Sequence, residues 1–137
     1  MADELFKSYG KLDYSQLPQI RLVAELDPGI AEFYRSLIPK HFVLQKPMYV
    51  PHVSVIRKET PTNMAAWGKY QGELVEIFYD PYIFFGKIYC WLKVHSVRFE
   101  EIREELGLPR HSHITRPPDE QPCFHMTLGN QKHLLEK

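Results

Sequence analysis

Two segments of the chain carry the same pattern, histidine, apolar residue, hydroxyl residue, apolar residue, on runs that read as β-strands: His52-Val53-Ser54-Val55 and His125-Met126-Thr127-Leu128. Side chains alternate faces along a strand, so His52 and Ser54 project to one side while Val53 and Val55 enter the core, and His125 and Thr127 repeat the arrangement. Each segment therefore sets an imidazole and a hydroxyl on one face of a rigid element, two residue rises apart, which suits gripping one phosphate. With seven histidines in the chain, one such motif arises by accident. Two in matched settings form a pattern.

The settings match beyond the motifs. Ile20 to Leu26 alternates as a strand, Asp27 is an N-cap acceptor followed by Pro28, and Ile30, Phe33, Tyr34 and Leu37 recur at helical spacing, which predicts a helix from about Pro28 to Ile38. A loop with Pro47 then leads to a strand over Tyr49 to Ile56. In the second half Ile88 to Val94 reads as a strand. Ser96 caps a helix with Phe99, Ile102 and Leu106 on one face, closed by Gly107 and Pro109. A proline-rich connection, Pro109 to Pro122, gives way to a strand over Cys123 to Gly129. Between the halves the sequence predicts a short helix after Thr60-Pro61 that ends near Gly72, then strands over Leu74 to Tyr79 and Tyr82 to Phe85. Met1 to Gln19 shows no clear period and reads as an ordered arm or at best a short helix, and the tail after Gly129 is polar.

This order predicts a single α+β domain, 1–137, with antiparallel sheets in two lobes, about 20–57 and 88–129, joined by a middle segment, 58–87. The lobes are expected to be related by a pseudo-twofold axis, with helices outside and a central cleft where the four motif side chains meet. One neutral histidine would take a proton from the attacking water or ribose hydroxyl, and the other, protonated, would give one to the leaving oxygen. Ser54 and Thr127 would donate hydrogen bonds to the phosphate oxygens as charge grows on them. Such chemistry calls for no metal and no cofactor.

Composition narrows the substrate. A length of 137 residues with 44% hydrophobic content supports one core, and 17 basic residues balance 17 acidic ones, so no global field recruits long nucleic acid. A small nucleotide or short oligonucleotide fits better. Two cysteines, Cys90 and Cys123, and an N-terminus without an apolar run read as a reduced, cytoplasmic protein, and no segment is long and apolar enough to span a membrane.

Other residues receive weaker readings. Tyr49, Trp67, Tyr89 and Trp91 are candidates to stack a base, though aromatic residues in strands more often serve the core. Arg21, Lys87, Arg110 and Arg116 are candidates to meet phosphates against a default of solvated charge, the last two from the connection that precedes the second motif. His113-Ile114-Thr115 also matches the bare pattern but lacks apolar strand flanks. His111 and His113 form at most half of a metal site, with no cysteine or carboxylate cluster at ligand spacing. His41, His95 and His133 are read as surface or structural residues.

Pro51-His52-Val53-Ser54-Val55 and Phe124-His125-Met126-Thr127-Leu128 resemble the paired His-x-Thr/Ser signatures of the two-histidine (2H) phosphoesterase superfamily. Ser54 stands where Thr is commoner. The resemblance implies that His52 and His125 are catalytic and that Ser54 and Thr127 hold the phosphate. It implies a phosphodiesterase. The preferred setting is a phage or viral enzyme that degrades cyclic di- or trinucleotide immune signals in the host cytoplasm, with a cellular 2′,3′-cyclic phosphodiesterase or RNA end-processing enzyme as the alternative. A reading of another class is a module that clasps a nucleotide or RNA end without cutting it.

Overall fold

The elements run β1 (Phe6–Ser15), β2 (Arg21–Glu25), α1 (Pro28–Ser36), β3 (His52–Arg57), β4 (Leu74–Tyr79), β5 (Phe84–Phe85), β6 (Tyr89–His95), α2 (Val97–Glu105) and β7 (Phe124–Asn130). A computed structural model describes residues 5–47 and 49–133; residues 1–4 of the expected arm and 134–137 of the polar tail lie outside the described residues.

All strand pairings are antiparallel. The order β4-β1-β2-β3-β7-β6 closes on itself through a short β4–β6 ladder, Phe78 opposite His95 and Tyr79 opposite Val94, while β5 adds to β6. The fold is thus a closed six-stranded β-barrel with one extra strand and two short helices. It is not the two-lobed α+β arrangement that the repeat predicted. Two features overturn that expectation. The segment read as an arm contains β1, which pairs with both β2 and β4. The middle segment, read as a joiner, supplies β4, which bridges β1 to β6 and leaves neither edge free.

The core follows from the period of two. Leu12, Leu22, Ala24, Val53, Val55, Ile77, Leu92, Val94, Phe124, Met126 and Leu128 are fully buried in one cluster, which α1 joins through Ala31 and Tyr34 and α2 through Phe99 and Ile102. Both helices start where their caps place them. Asp27 Oδ1 accepts from the Gly29 N–H at 2.9 Å, and Ser96 Oγ accepts from the Phe99 N–H at 3.2 Å. The helix predicted after Thr60-Pro61 is instead a 3-10 turn, Met64–Ala66, followed by Gly68 and Gly72 at φ +79° and +78°, which an α-helix does not admit. The strand expected over Tyr82 to Phe85 contracts to Phe84–Phe85.

Gly129 marks a close approach on β7. A Cβ there would lie 2.5 Å from Leu44 Cγ and 2.7 Å from the Gln45 carbonyl oxygen, beside the bridge between Gln45 and Asn130. Gly129→Ala is therefore expected to lower stability by about 1–3 kcal/mol, read as a lower urea midpoint with an unchanged slope.

Candidate active site

Strands β3 and β7 are neighbours, with Val53 opposite Met126. Extending that register by one residue each way sets His52 opposite Thr127 and Ser54 opposite His125. Val53 and Met126 are fully buried while the four motif side chains are part-exposed, so the four share the face turned away from the core. They stand at the corners of one quadrilateral, histidines on one diagonal and hydroxyls on the other, with diagonal Cα atoms about 7–8 Å apart. One antiparallel strand pair thus achieves the juxtaposition that two lobes were expected to provide.

The flanking strands extend the quadrilateral into two rows. Glu25 of β2 pairs with His52 and Trp91 of β6 pairs with Thr127, giving Glu25, His52, Thr127, Trp91. Val23 pairs with Ser54 and Lys93 with His125, giving Val23, Ser54, His125, Lys93. The connection between α2 and β7 is held beside the second row, where Asp119 ion-pairs Lys93 at 2.8 Å. Phe84 stacks on Trp91 at 6.3 Å and carries Lys93 Nζ 4.1 Å from its ring centre.

Each histidine is held the same way. His52 Nδ1 lies 2.8 Å from the Val50 carbonyl oxygen, and His125 Nδ1 lies 3.3 Å from that of Thr115. A carbonyl only accepts, so Nδ1 carries the proton in both rings and each neutral Nε2 is left with a bare lone pair. Burial pushes the His125 imidazole down to about 4, helped by the charges of Arg57 and His52 and opposed by the Thr115 carbonyl and Asp119. Burial also lowers His52, with Arg21 and Arg57 adding to the effect and the Val50 carbonyl and Glu25 opposing it. Both shifts favour neutral rings at pH 7, and His125 is the harder to protonate.

A stability effect follows from His125. Above about pH 6.5 its imidazole is neutral in folded and unfolded chains alike. As pH falls from there toward 4 the unfolded chain takes up a proton that the folded chain refuses, so stability is lost. At ~1.4 kcal/mol per pH unit the loss reaches about 3 kcal/mol. Urea titrations at pH 7 and pH 4.5 are expected to show a markedly smaller drop for His125→Gln than for the unmutated chain.

The other candidate residues are scattered. Tyr49, 67% exposed, lies three residues before His52, with the Arg21 guanidinium 5.7 Å from its ring centre. Trp91 is 2% exposed, with its ring against that of its cross-strand partner Phe84, and offers no open stacking surface. Arg110 is turned to Glu104 at 3.3 Å and is not brought to the histidines. Arg116 lies in the connection before β7, and its Nε is buried without a hydrogen-bond partner among the described residues. His111 Nε2 contacts Glu100 Oε2 at 2.5 Å, and His95 Nε2 lies 3.4 Å from Asp80.

Arg57 lies near both candidate histidines and was missed. Counting by twos from Val53 and Val55 assigns it to the core side. Val55, however, is an extra residue in the β2–β3 ladder: Leu22 pairs with Ile56 and Val23 with Ser54. This bulge re-aims the rest of β3, so that Ile56 is buried and Arg57 emerges exposed, opposite Arg21. Its charge reaches both histidines. Neither arginine has a carboxylate partner within salt-bridge distance among the described residues. Lys93 was missed for another reason, since its place beside His125 depends on a pairing between β6 and β7 that no local pattern encodes.

Comparison with known protein families, with curated proteins and with solved structures finds no match to this chain.

Proposed function

We propose that this protein is a phosphodiesterase that cleaves a cyclic nucleotide or short oligonucleotide by acid–base catalysis from His52 and His125. The reading is supported by the pairing of β3 with β7, which brings two imidazoles and two hydroxyls onto one face of neighbouring strands, each imidazole with Nδ1 against a backbone carbonyl. His125, the more resistant to protonation, acts as base, and its Nε2 takes the proton from water or a ribose 2′-hydroxyl. The attacking oxygen bonds to phosphorus as the opposite P–O bond breaks. The negative phosphate raises the proton affinity of both rings, and His52 holds the proton that passes to the leaving oxygen. Ser54 and Thr127 donate to the non-bridging oxygens, and the Arg57 guanidinium offsets their charge. The pair performs both proton transfers, so the mechanism calls for no metal.

The motifs' resemblance to the 2H phosphoesterase signatures supports the same reaction and favours, as a setting, a phage or viral enzyme acting on cyclic di- or trinucleotide signals. A cytoplasmic location goes with it, supported by two free, buried cysteines, Cys90 and Cys123. Among the described residues no helix is long and apolar enough to cross a membrane.

The experiment is incubation in excess EDTA with 2′,3′-cyclic mononucleotides, 3′,3′-cyclic di- and trinucleotides and 2′,5′-oligoadenylate, with products identified by mass. Cleavage of one class is expected, and the product mass separates attack by water from attack by a ribose hydroxyl. Binding of a panel member without any product would replace the enzyme by a nucleotide-clasping module.

A further inference from the structure

The segment leading into β3 carries an exposed aromatic ring three residues before His52. Tyr49 is two-thirds exposed, and the Arg21 guanidinium lies 5.7 Å from its ring centre. Arg21 starts β2, opposite Arg57, and the chain bends at Tyr49 and Pro51 before β3, which brings the Tyr49 ring to the Arg21 guanidinium. Its charge is felt at His52. Tyr49 is coupled to the imidazole by the chain itself: the Val50 carbonyl accepts from His52 Nδ1, and Pro51 fixes one backbone angle between them. An exposed ring stacked by a guanidinium that lacks a carboxylate partner among the described residues offers a π-face and a positive charge together.

We propose that Tyr49 and Arg21 form a subsite for the nucleotide unit next to the scissile phosphate on the His52 side. The base stacks on the open face of Tyr49, and Arg21 pairs with that unit's phosphate. The proposal rests on the phosphodiesterase reading of His52 and His125 and deepens it, because it makes the preferred substrate one with at least two phosphates and a stackable base beyond the cut.

Calorimetric titration of 5′-AMP and of a phosphorothioate-linked diadenylate bearing a 5′-phosphate tests it. The dinucleotide is expected to bind about tenfold more tightly than 5′-AMP. Tyr49→Ala should erase that advantage and Tyr49→Trp should keep it, and because residue 49 is exposed, both variants fold. Equal affinity for the two ligands, or an advantage that survives in Tyr49→Ala, overturns the subsite. The readout is independent of turnover. A chain that shows the advantage but cleaves nothing keeps the subsite and loses the hydrolytic reading, whereas one that cleaves without it keeps the reading and loses the subsite.

Discussion

Replacing either His52 or His125 by alanine is expected to lower kcat on a cleaved substrate by about 10²–10⁴-fold while leaving KM within a few-fold. Both side chains lie on the face away from the core and neither contributes to the buried cluster, so truncation removes a proton carrier without opening a cavity. Each ring acts through one nitrogen, because Nδ1 is committed to a backbone carbonyl. The two losses differ in their pH signature. Without His125 the base is gone, and the acidic limb of the rate profile, set by a group held near 4, disappears. Without His52 the alkaline limb disappears. The double variant is expected to be little worse than either single one, since one transition state needs both transfers. Steady-state kinetics across pH 4–9 on the four proteins provides the check, and a His52→Ala protein with unchanged kcat would sink the mechanism.

Replacing Arg103 by methionine is expected to destabilise the fold by about 3–5 kcal/mol. Arg103 is fully buried on α2, and its guanidinium makes a bidentate pair with Glu59, at 2.9 Å and 2.6 Å. Its other donors reach the Val55 carbonyl at 2.8 Å and the Pro109 carbonyl at 2.7 Å. One side chain thus ties α2 to the β3 bulge and to the start of the connection whose Thr115 carbonyl holds His125. Burial works to raise the Glu59 carboxyl, but the hydrogen bonds and charge of Arg103 outweigh it and hold the group below its ordinary value. A depressed carboxylate stabilises the fold above its unfolded pKa, and that stability is lost as pH falls through the folded value. Methionine leaves this largely buried carboxylate without its guanidinium partner, and it leaves the Val55 and Pro109 carbonyls without that donor. Urea unfolding measures the loss. Arg103→Met combined with Glu59→Leu should recover much of it, whereas a loss below 1 kcal/mol in the single variant would mean that the pair does not hold the connection in place.

The face of each motif in the candidate site was legible because it depends on alternation alone. Period-two patterning put His52 with Ser54 and His125 with Thr127 on the side opposite the core residues, and N-cap chemistry located α1 and α2 to within a few residues. The fold was not legible, and β1 shows why. Its core-facing positions are Ser8, Gly10, Leu12 and Tyr14, of which only Gly10 and Leu12 are buried, so no apolar stripe marks the strand. Gly10 is small because a Cβ there would lie 2.9 Å from that of Ala24, which is a demand of packing rather than of pattern. With β1 unseen, β4 had no partner, and the barrel looked like two separate lobes. The bulge at Val55 hid Arg57 in the same way, since it arises from pairing with β2 and leaves no mark on β3 alone.

The most direct test of the central claim, that one phosphate sits between two imidazoles, is a long-range ¹H–¹⁵N spectrum of the histidine rings at pH 7 during titration with inorganic phosphate. Both His52 and His125 are predicted to start as neutral Nδ1–H tautomers, and their Nε2 signals to move together along one binding curve. An Nε2–H tautomer at either residue, or movement of one ring while the other stays still, would contradict it.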